Sequence, residues 1–328
     1  MNLIYSPSHI RGSGLIELMI SISLGLIIIS GLSHIYLHSK TNHQSQSIMS
    51  NLHSEGHYAL SQLINDIRNA DYLGNTRRAE YIKGTTSPIP ASGRCQNNNQ
   101  WVRMLDQSIF GLNENIKVNK DLDYSKCIKR DNYLGGDVVA LRFVSKTVYS
   151  ASEVSSKDNQ DRIYLLSSPE KGLLFQGKEL SKNTLESRLT TLHQAQGSLY
   201  YIGKAVNDIP KHCVGTKPYP ALFRKSPNKR SILQREEISQ GIENMQIQYG
   251  IDTDLNQSVN YYTDAAIDTP WTKVASVRVW LLMRAQCPEP GYTNKHTYTL
   301  GDQTYTPSDN YRRLLLTSTV AINHRGIH

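Results

Sequence analysis

An uncharged apolar run near the N-terminus sets the first limit on how this chain folds. Residues Leu18–Ser39 contain no Lys, Arg, Asp or Glu and are dense in Ile and Leu. At about 1.5 Å of rise per residue, a helix over this run can cross a hydrocarbon core of about 30 Å. The rest of the 328-residue chain is polar and contains no second run of this kind. The sequence therefore predicts one membrane-spanning helix followed by a large folded region.

A single carboxylate, Glu17, stands directly before this run. A charge at the centre of a membrane helix costs about 2.5–3.5 kcal/mol on insertion scales and less near an end, so an unpaired carboxylate here implies a specific role. The alternative for this region is a cleavable secretory signal, which has a shorter apolar part without acidic groups and ends in a small-x-small site. Gly31-Leu32-Ser33 matches such a site poorly. We therefore expect the apolar run to remain in the mature protein.

The four cysteines, Cys95, Cys127, Cys213 and Cys287, all follow the apolar run and form no CxxC pair. An even number without metal-ligand spacing favours disulfides in an oxidising compartment over zinc binding or thiol redox chemistry. Buried free thiols in a cytosolic domain are the alternative. Of the three possible pairings, we favour Cys95–Cys127 with Cys213–Cys287, on proximity in the sequence alone.

After the apolar run, the periodicity predicts that the helix continues as an amphipathic segment, from about His38 to Ala70. Apolar residues recur at helical spacing and form one stripe, comprising Met49, Leu52, Tyr58, Leu60, Leu63, Ile64 and Ile67. The two halves together predict one helix from about Gly14 to Asp71, with Gly74 as its stop signal.

Further along the chain, segments rich in β-branched and aromatic residues predict strands with turn residues between them. These segments are Asp137–Val144, Arg162–Ser167, Ser198–Gly203, Ile242–Gly250, Val274–Met283 and Arg312–Ile322. A long N-terminal helix that packs its amphipathic half on a C-terminal antiparallel β-sheet is an α+β arrangement.

The sequence Gly12-Ser13-Gly14-Leu15-Ile16-Glu17-Leu18 resembles the cleavage and methylation signal of type IV prepilins and pseudopilins. The resemblance implies that a leader ends at Gly12, that Ser13 becomes the N-methylated first residue, and that Glu17 acts in assembly. Ser13 stands where the family usually has Phe, and Gly14 where it usually has Ser or Thr. Cleavage would place a new amine four residues from Glu17, and a cation is the partner that a carboxylate in a low dielectric requires.

Three later segments resemble blocks of PilW-type minor pilin assembly proteins, in the same order. These segments are Gly241–Asp254, Val274–Arg284 and Arg312–Arg325. The resemblance implies a pilin-like fold in five parts. They are a leader (1–12), the transmembrane and assembly half of the helix (13–39), its amphipathic half (40–72), a loop-rich insertion with Cys95 and Cys127 (73–136), and a periplasmic antiparallel β domain (137–328).

The same resemblance implies a structural role in a type IV pilus. The expected partners are the prepilin peptidase, the major pilin, other minor pilins and the inner-membrane assembly platform. The expected location is the inner membrane, with the C-terminal region in the periplasm, and the pilus after assembly. A type II secretion pseudopilin is the near alternative. A membrane-anchored periplasmic binding protein or enzyme is the distant one, although no GxSxG, HExxH, Walker-type or GxGxxG motif is present. We therefore predict neither catalysis nor a cofactor.

Three further patterns are candidate ligand sites. Oxygen ligands alternate as in a calcium loop at Asp252, Asp254, Asn256, Ser258 and Asn260, but Gln257 replaces the required Gly and Thr263 the bidentate Glu. We therefore favour a polar hairpin turn there.

The other two patterns are a basic segment and two histidine pairs. The net charge is +8, and four cations, Arg224, Lys225, Lys229 and Arg230, form a cluster that could bind DNA or an anionic surface as a ligand. We favour a solvated loop there. His34/His38 and His53/His57 have the i,i+4 spacing of metal ligands but no third ligand, which favours solvated or packing side chains.

Overall fold

The computed structural model describes residues 14–85, 98–114, 128, 132–182, 190–206, 213, 218–254, 256, 258–266 and 268–322. The chain divides into two compact units, Met1–Ser50 and Asn51–His328. Within the described residues, the helices are α1 (Leu15–Asn69), α2 (Asn98–Arg103) and α3 (Ala151–Val154). The strands are β1 (Ile82–Lys83), β2 (Ile109–Leu112), β3 (Tyr133–Tyr149), β4 (Ile163–Ser167), β5 (Gly172–Gln176), β6 (Thr191–Lys204), β7 (Pro220–Pro227), β8 (Leu233–Gln240), β9 (Ile242–Ile251), β10 (Tyr261–Asp264), β11 (Val274–Arg284), β12 (Tyr298–Leu300), β13 (Gln303–Tyr305) and β14 (Arg313–Ala321).

The long helix α1 has nearly the predicted bounds. It ends at Asn69, and the chain turns away through two residues in the left-handed region, Asp71 with φ 66° and Gly74 with φ 65°. A β-carbon on Gly74 would lie 2.7 Å from the His193 ring, so glycine is required there for space as well as for conformation. The predicted stop at Gly74 therefore marks the exit from the helix.

The buried stripe on α1 differs in part from the predicted one. Its buried residues are Leu52, Gly56, Ala59, Leu60, Leu63, Asp66 and Ile67. The inclusion of Tyr58 in the stripe was wrong, because its side chain is 52% exposed. Gly56 replaces it as the close contact: a β-carbon there would lie 2.5 Å from Leu316 Cδ1 and 3.1 Å from Met283 Cγ. The helix therefore packs directly against β11 and β14.

The larger sheet has the order β1-β5-β4-β6-β3-β2, and β7 and β8 extend from β6. One edge of β6 is shared, because β4 pairs with residues 191–194 and β7 pairs with residues 199–204. All of these pairs are antiparallel except β1 with β5, which is parallel. The long strands β3 and β6 thus form the centre of this sheet.

A second sheet has the order β10-β9-β11-β14, with antiparallel pairs throughout, and β12 and β13 form a separate hairpin. All six predicted strands are present. The α+β prediction of a long N-terminal helix with a C-terminal, mostly antiparallel β region is confirmed, but the strands form two sheets and a hairpin.

The two sheets are joined at two places, by a one-residue link at Gly241 and by a hydrogen bond to Asp137. Gly241, with φ 83°, is the only residue between β8 and β9; its N–H donates to Pro220 O of β7, and its carbonyl accepts from Arg284 N of β11. Asp137 of β3 accepts from Ile247 N of β9 at 2.8 Å. Burial raises the pKa of the Asp137 carboxyl, and the carboxylates Asp302, Glu114 and Asp264 raise it further.

The described part of the predicted loop-rich insertion contributes to the core. Trp101 and Val102 of α2, together with Leu105, Ile109 and Leu112, are all buried. All of them except Ile109 belong to the hydrophobic cluster that packs on the larger sheet. A β-carbon on Gly197 of β6 would lie 2.5 Å from the Trp101 ring, so the indole packs directly on the sheet backbone. Residues 98–112 therefore form part of the fold as well as of its surface.

Candidate functional site

Glu17 lies in the first turn of α1. Its N–H donates to Gly14 O at 2.9 Å, and Leu18 N also donates to Gly14 O, at 3.2 Å. The free N–H groups of a helix N-terminus carry partial positive charge, which favours a carboxylate in this turn. No cation among the described residues forms an ion pair with Glu17. Gly12 and Ser13 lie outside the described residues.

The helix that follows Glu17 presents its apolar side chains outward. Leu15 is 78% exposed and Ile16 73% exposed, and most of the Ile and Leu side chains up to Leu37 are at least half exposed. Ser21 Oγ donates to Glu17 O, and Ser23 Oγ donates to Ile20 O, so both hydroxyls are satisfied within the helix. Among the described residues, α1 is the one helix long and apolar enough to span a membrane, with a mean hydropathy of 2.3 over its best window.

A buried carboxylate that the sequence analysis did not identify attaches the end of α1 to the larger sheet. Asp66 Oδ2 accepts from Ser198 Oγ at 2.6 Å and from Tyr200 Oη at 2.7 Å, both on β6. Arg224 of β7 lies 3.7 Å from the same oxygen. Burial raises the pKa of the Tyr200 hydroxyl, and the adjacent Asp66 charge raises it further, so the tyrosine remains a hydrogen-bond donor.

A second buried charge cluster lies where β9, β11 and β14 meet. Arg313 donates to both oxygens of Glu243 and of Asp309, while Arg284 lies 3.4 Å from Glu243 Oε1. Burial by itself would lower the pKa of Arg313, but its hydrogen bonds to Asp309 and Glu243 outweigh that effect and keep the guanidinium charged. Through Glu243, the cluster joins the end of β11, at Arg284, to the start of β14, at Arg313.

The cysteine prediction is confirmed for one pair. Cys213 and Cys287 form a disulfide, with their Cα atoms 5.0 Å apart. The bond joins the connection between β6 and β7 to the segment after β11, and so links the two sheets covalently. Cys95 and Cys127 lie outside the described residues.

The candidate calcium loop is the connection between β9 and β10, where hydrogen bonds within the loop use several of its oxygens. Asp252 Oδ1 accepts from Asn256 N, and Asn260 Oδ1 accepts from Thr253 N and Oγ1. Asp254 Oδ2 accepts from the Asn256 amide, and Asn256 Oδ1 accepts from Ser258 N. These contacts are typical of the polar hairpin turn that we favour from the sequence, and calcium binding there stays an untested weaker alternative.

The basic candidate segment forms the β7–β8 hairpin, whose cations mostly have partners. Arg224 Nη2 lies 2.8 Å from Glu236 Oε2. Lys229 Nζ lies 3.6 Å from Asp158 Oδ1, and both of these side chains are exposed. Lys225 also has an interaction partner, and Arg230 is exposed beside the turn at Asn228. The structure does not bring the four cations together as one free anion-binding surface.

The two histidine pairs have the expected spacing on α1. The ring centroids of His34 and His38 are 6.2 Å apart, and those of His53 and His57 are 5.9 Å apart. Within the described part of the chain, no group of three or more His, Cys, Asp or Glu side chains is placed to hold a metal ion.

Part of the C-terminal region is similar to a known protein family. Residues 199–324 match the family model described as Type IV Pilus-assembly protein W (PilW). Among solved structures, the chain is similar to a type IV-like pilin from Thermus thermophilus, with 12% identity, a TM-score of 0.31, and coverage of 58% of this chain and 79% of that chain. No curated protein matches the sequence. The matched segment includes the whole four-stranded sheet, the hairpin and both disulfide partners, Cys213 and Cys287. The match shows that residues 199–324 are similar to the PilW family.

Proposed function

We propose that this chain is a minor pilin-like structural subunit that is incorporated into a type IV pilus or primes its assembly. The observation that carries the proposal is one helix, α1, with Glu17 in its first turn and uncharged apolar side chains exposed along its first half. The PilW match over residues 199–324 supports a pilus function for the region that follows. A soluble enzyme or binding protein gains nothing from exposing such a helix to water, whereas a membrane or a filament interior covers it.

Processing explains the position of the carboxylate. Cleavage after Gly12 leaves the amine of Ser13 four residues from Glu17 along the chain. In the low dielectric of a membrane or filament core, that amine or the amine of a neighbouring subunit pairs with Glu17 and offsets its desolvation cost. In this proposal the prepilin peptidase acts first, and the inner-membrane platform and other pilins are the later partners. The C-terminal unit then lies in the periplasm, where its disulfide is stable.

Intact-mass analysis of the membrane-extracted chain, expressed with and without its prepilin peptidase, tests the proposal. We expect a peptidase-dependent loss of residues 1–12 together with the addition of one methyl group. An uncut chain, or a chain cut near Ser33, would contradict the proposal and favour a membrane-anchored or secreted periplasmic protein.

The assembly role of Glu17 is tested by Glu17→Ala, with Ser21→Ala as the matched control in the next turn of the helix. We expect Glu17→Ala to insert into the membrane normally but to reduce the number of pili, because the subunit loses its charge partner. Ser21→Ala removes a hydroxyl that only bonds its own helix, and it should assemble as the unsubstituted chain does. Normal piliation in Glu17→Ala would count against this role.

We further propose a position at or near the pilus tip, because a C-terminal unit of residues 51–328 is bulky and is less confined there than in the shaft. Immunogold labelling should then mark pilus ends; label along the whole shaft would exclude a tip position.

A further inference from the structure

The outer edge of β14 has no partner strand in the described part of the chain. On its inner side, β14 pairs with β11 continuously from Arg313 to Ala321, without a bulge. On its outer side, no described strand pairs with it, and no described backbone group forms a hydrogen bond to it. With respect to the described residues, this nine-residue strand therefore presents a row of N–H and C=O groups without a backbone partner, which is the template for adding another strand.

This edge also lacks the features that normally prevent strand addition. Residues 314–321, "LLLTSTVA", contain no charge, no proline and no glycine. The other edges are different. β8 carries the charges of Arg235, Glu236 and Glu237, while β1, β2 and β10 have four residues or fewer. Among the sheet edges that the structure describes, β14 is thus the long one without protective charges.

The two faces of β14 define the kind of segment that would fit beside it. One face, which packs toward α1, has Leu314, Leu316, Ser318 and Val320; the other face has Leu315, Thr317, Thr319 and Ala321. An added strand continues both faces. Its side chains beside Leu316 and Val320 must be apolar and uncharged, while those beside Thr317 and Thr319 face water. The edge therefore selects an extended segment with apolar residues at alternate positions.

We propose that the outer edge of β14 binds an extended segment of a different pilus subunit, which joins the four-stranded sheet as a fifth strand. This inference rests on the proposed function. A second copy of this chain is the poorer occupant, because a β14–β14 pair about a two-fold axis closes on itself, whereas subunits of a filament meet through unlike surfaces. Backbone hydrogen bonds supply the affinity, and the alternating side chains supply the specificity.

Site-specific photo-crosslinking of the full chain in piliated cells tests the proposal. A photoreactive residue is placed in turn at Thr317, Thr319 and Ala321 on one face of β14, and at the exposed Thr304 on β13 as a control. We expect the three β14 positions to crosslink to one segment of one other subunit, at sites that advance by two residues per step, which is the signature of a strand pair. Crosslinks scattered over several segments, crosslinks to another segment of the same chain, or crosslinks to β14 of a second copy would overturn the proposal.

A matched pair of charged variants tests the same edge. Ser318→Lys places an ammonium on the face of β14 that packs toward α1, where Ser318 is half-buried. Thr319→Lys places the same charge on the opposite face, where Thr319 is exposed. An unpaired ammonium that is buried by the added strand costs more than the ~1.4 kcal/mol that corresponds to a tenfold change in binding. We therefore expect Ser318→Lys to lower the in-register crosslink from Thr317 at least about tenfold, and Thr319→Lys to leave it within about twofold. Equal yields from the two variants would refute strand addition.

Two readouts separate this inference from the function on which it rests. An unchanged melting temperature of the detergent-extracted Ser318→Lys chain shows that its sheet is folded. The crosslinks from Thr317, Thr319 and Ala321 are measured in chains without a lysine substitution, so they do not depend on that variant. If the chain is absent from sheared pili and its deletion leaves piliation unchanged, the proposed function fails. If the chain is present in pili but gives no in-register crosslinks from β14, only the strand-addition inference fails.

Discussion

The hydrogen bonds of Asp66 allow a quantitative prediction about how α1 is held on the larger sheet. One carboxylate oxygen of Asp66 accepts from Ser198 Oγ and Tyr200 Oη, and both donors are buried. A hydrogen bond to a charged group contributes about 1.5–3 kcal/mol, and a buried hydroxyl left without an acceptor adds its desolvation cost. Asp66→Ala should therefore lower the free energy of unfolding by about 3–5 kcal/mol, which corresponds to a melting temperature lower by roughly 10 °C.

The assay is denaturant unfolding of the full chain in detergent micelles, followed by near-UV circular dichroism. Asn65→Ala is the matched control, because Asn65 is the exposed neighbour of Asp66 on the same helix and should change the free energy of unfolding by less than about 0.5 kcal/mol. Asp66→Asn keeps an acceptor but loses the charge, so its effect should lie between those of the other two variants.

A double-mutant cycle with Tyr200→Phe identifies the interaction itself. If the two side chains stabilise each other, the loss in the double variant should be smaller than the sum of the single losses by at least about 1 kcal/mol. Additive losses, or a loss below about 1 kcal/mol for Asp66→Ala, would refute the view that this buried carboxylate anchors the helix.

Three further predictions concern packing, pH and the disulfide. Gly197→Ala places a β-carbon 2.5 Å from the Trp101 ring and should lower the free energy of unfolding by about 1–3 kcal/mol; an unchanged melting temperature would contradict this close packing. Burial lowers the pKa of His193 below its ordinary 6.5, so stability should be full above that pH and fall as pH drops below it; His193→Gln should flatten the decline between about pH 7 and pH 5, and an unchanged slope would contradict it. Replacing Cys213 and Cys287 by Ser opens a loop with a sequence separation of 74 and should lower the free energy of unfolding by about 4 kcal/mol, whereas equal stability of the oxidised protein and the double variant would show that the bond contributes nothing.

The elements that were predicted from the sequence are those with a repeated apolar pattern. The helix α1 and the strands β3, β4, β6, β9, β11 and β14 all carry such patterns, and all were found. The predictable part of the candidate functional site was the combination of Glu17 with the apolar run. A carboxylate beside about twenty uncharged residues is energetically costly in a membrane, so it indicates a functional role from the sequence alone.

The elements that were missed have physical reasons for lacking a pattern. β8 carries Arg235, Glu236 and Glu237 because it is an edge strand, and β5 begins at a glycine. Gly56 and Asp66 are buried on α1, yet neither is apolar enough to extend a hydrophobic stripe, while Tyr58 is apolar but faces outward. Whether such a residue is buried depends on the side chains that pack against it in the folded protein.

The buried charge clusters were not predictable for a different reason. Arg313 and Glu243 are separated by 70 residues in the sequence, and only the pairing of β14 and β9 with β11 brings them together. A charged residue in an isolated strand sequence indicates an exposed position, and its burial becomes favourable only once its partner is in place.

The disulfide that links the two sheets also limits how far the chain can be stretched. The loop closed by Cys213 and Cys287 contains the whole of β7, β8, β9, β10 and β11. At about 3.4 Å per extended residue, this loop holds roughly 250 Å of contour length that tension between α1 and the C-terminus cannot release. Force along the chain passes through the sulfur bridge and bypasses those strands, even after neighbouring elements have opened. The oxidised protein is therefore a shorter and less extensible tether than the reduced one.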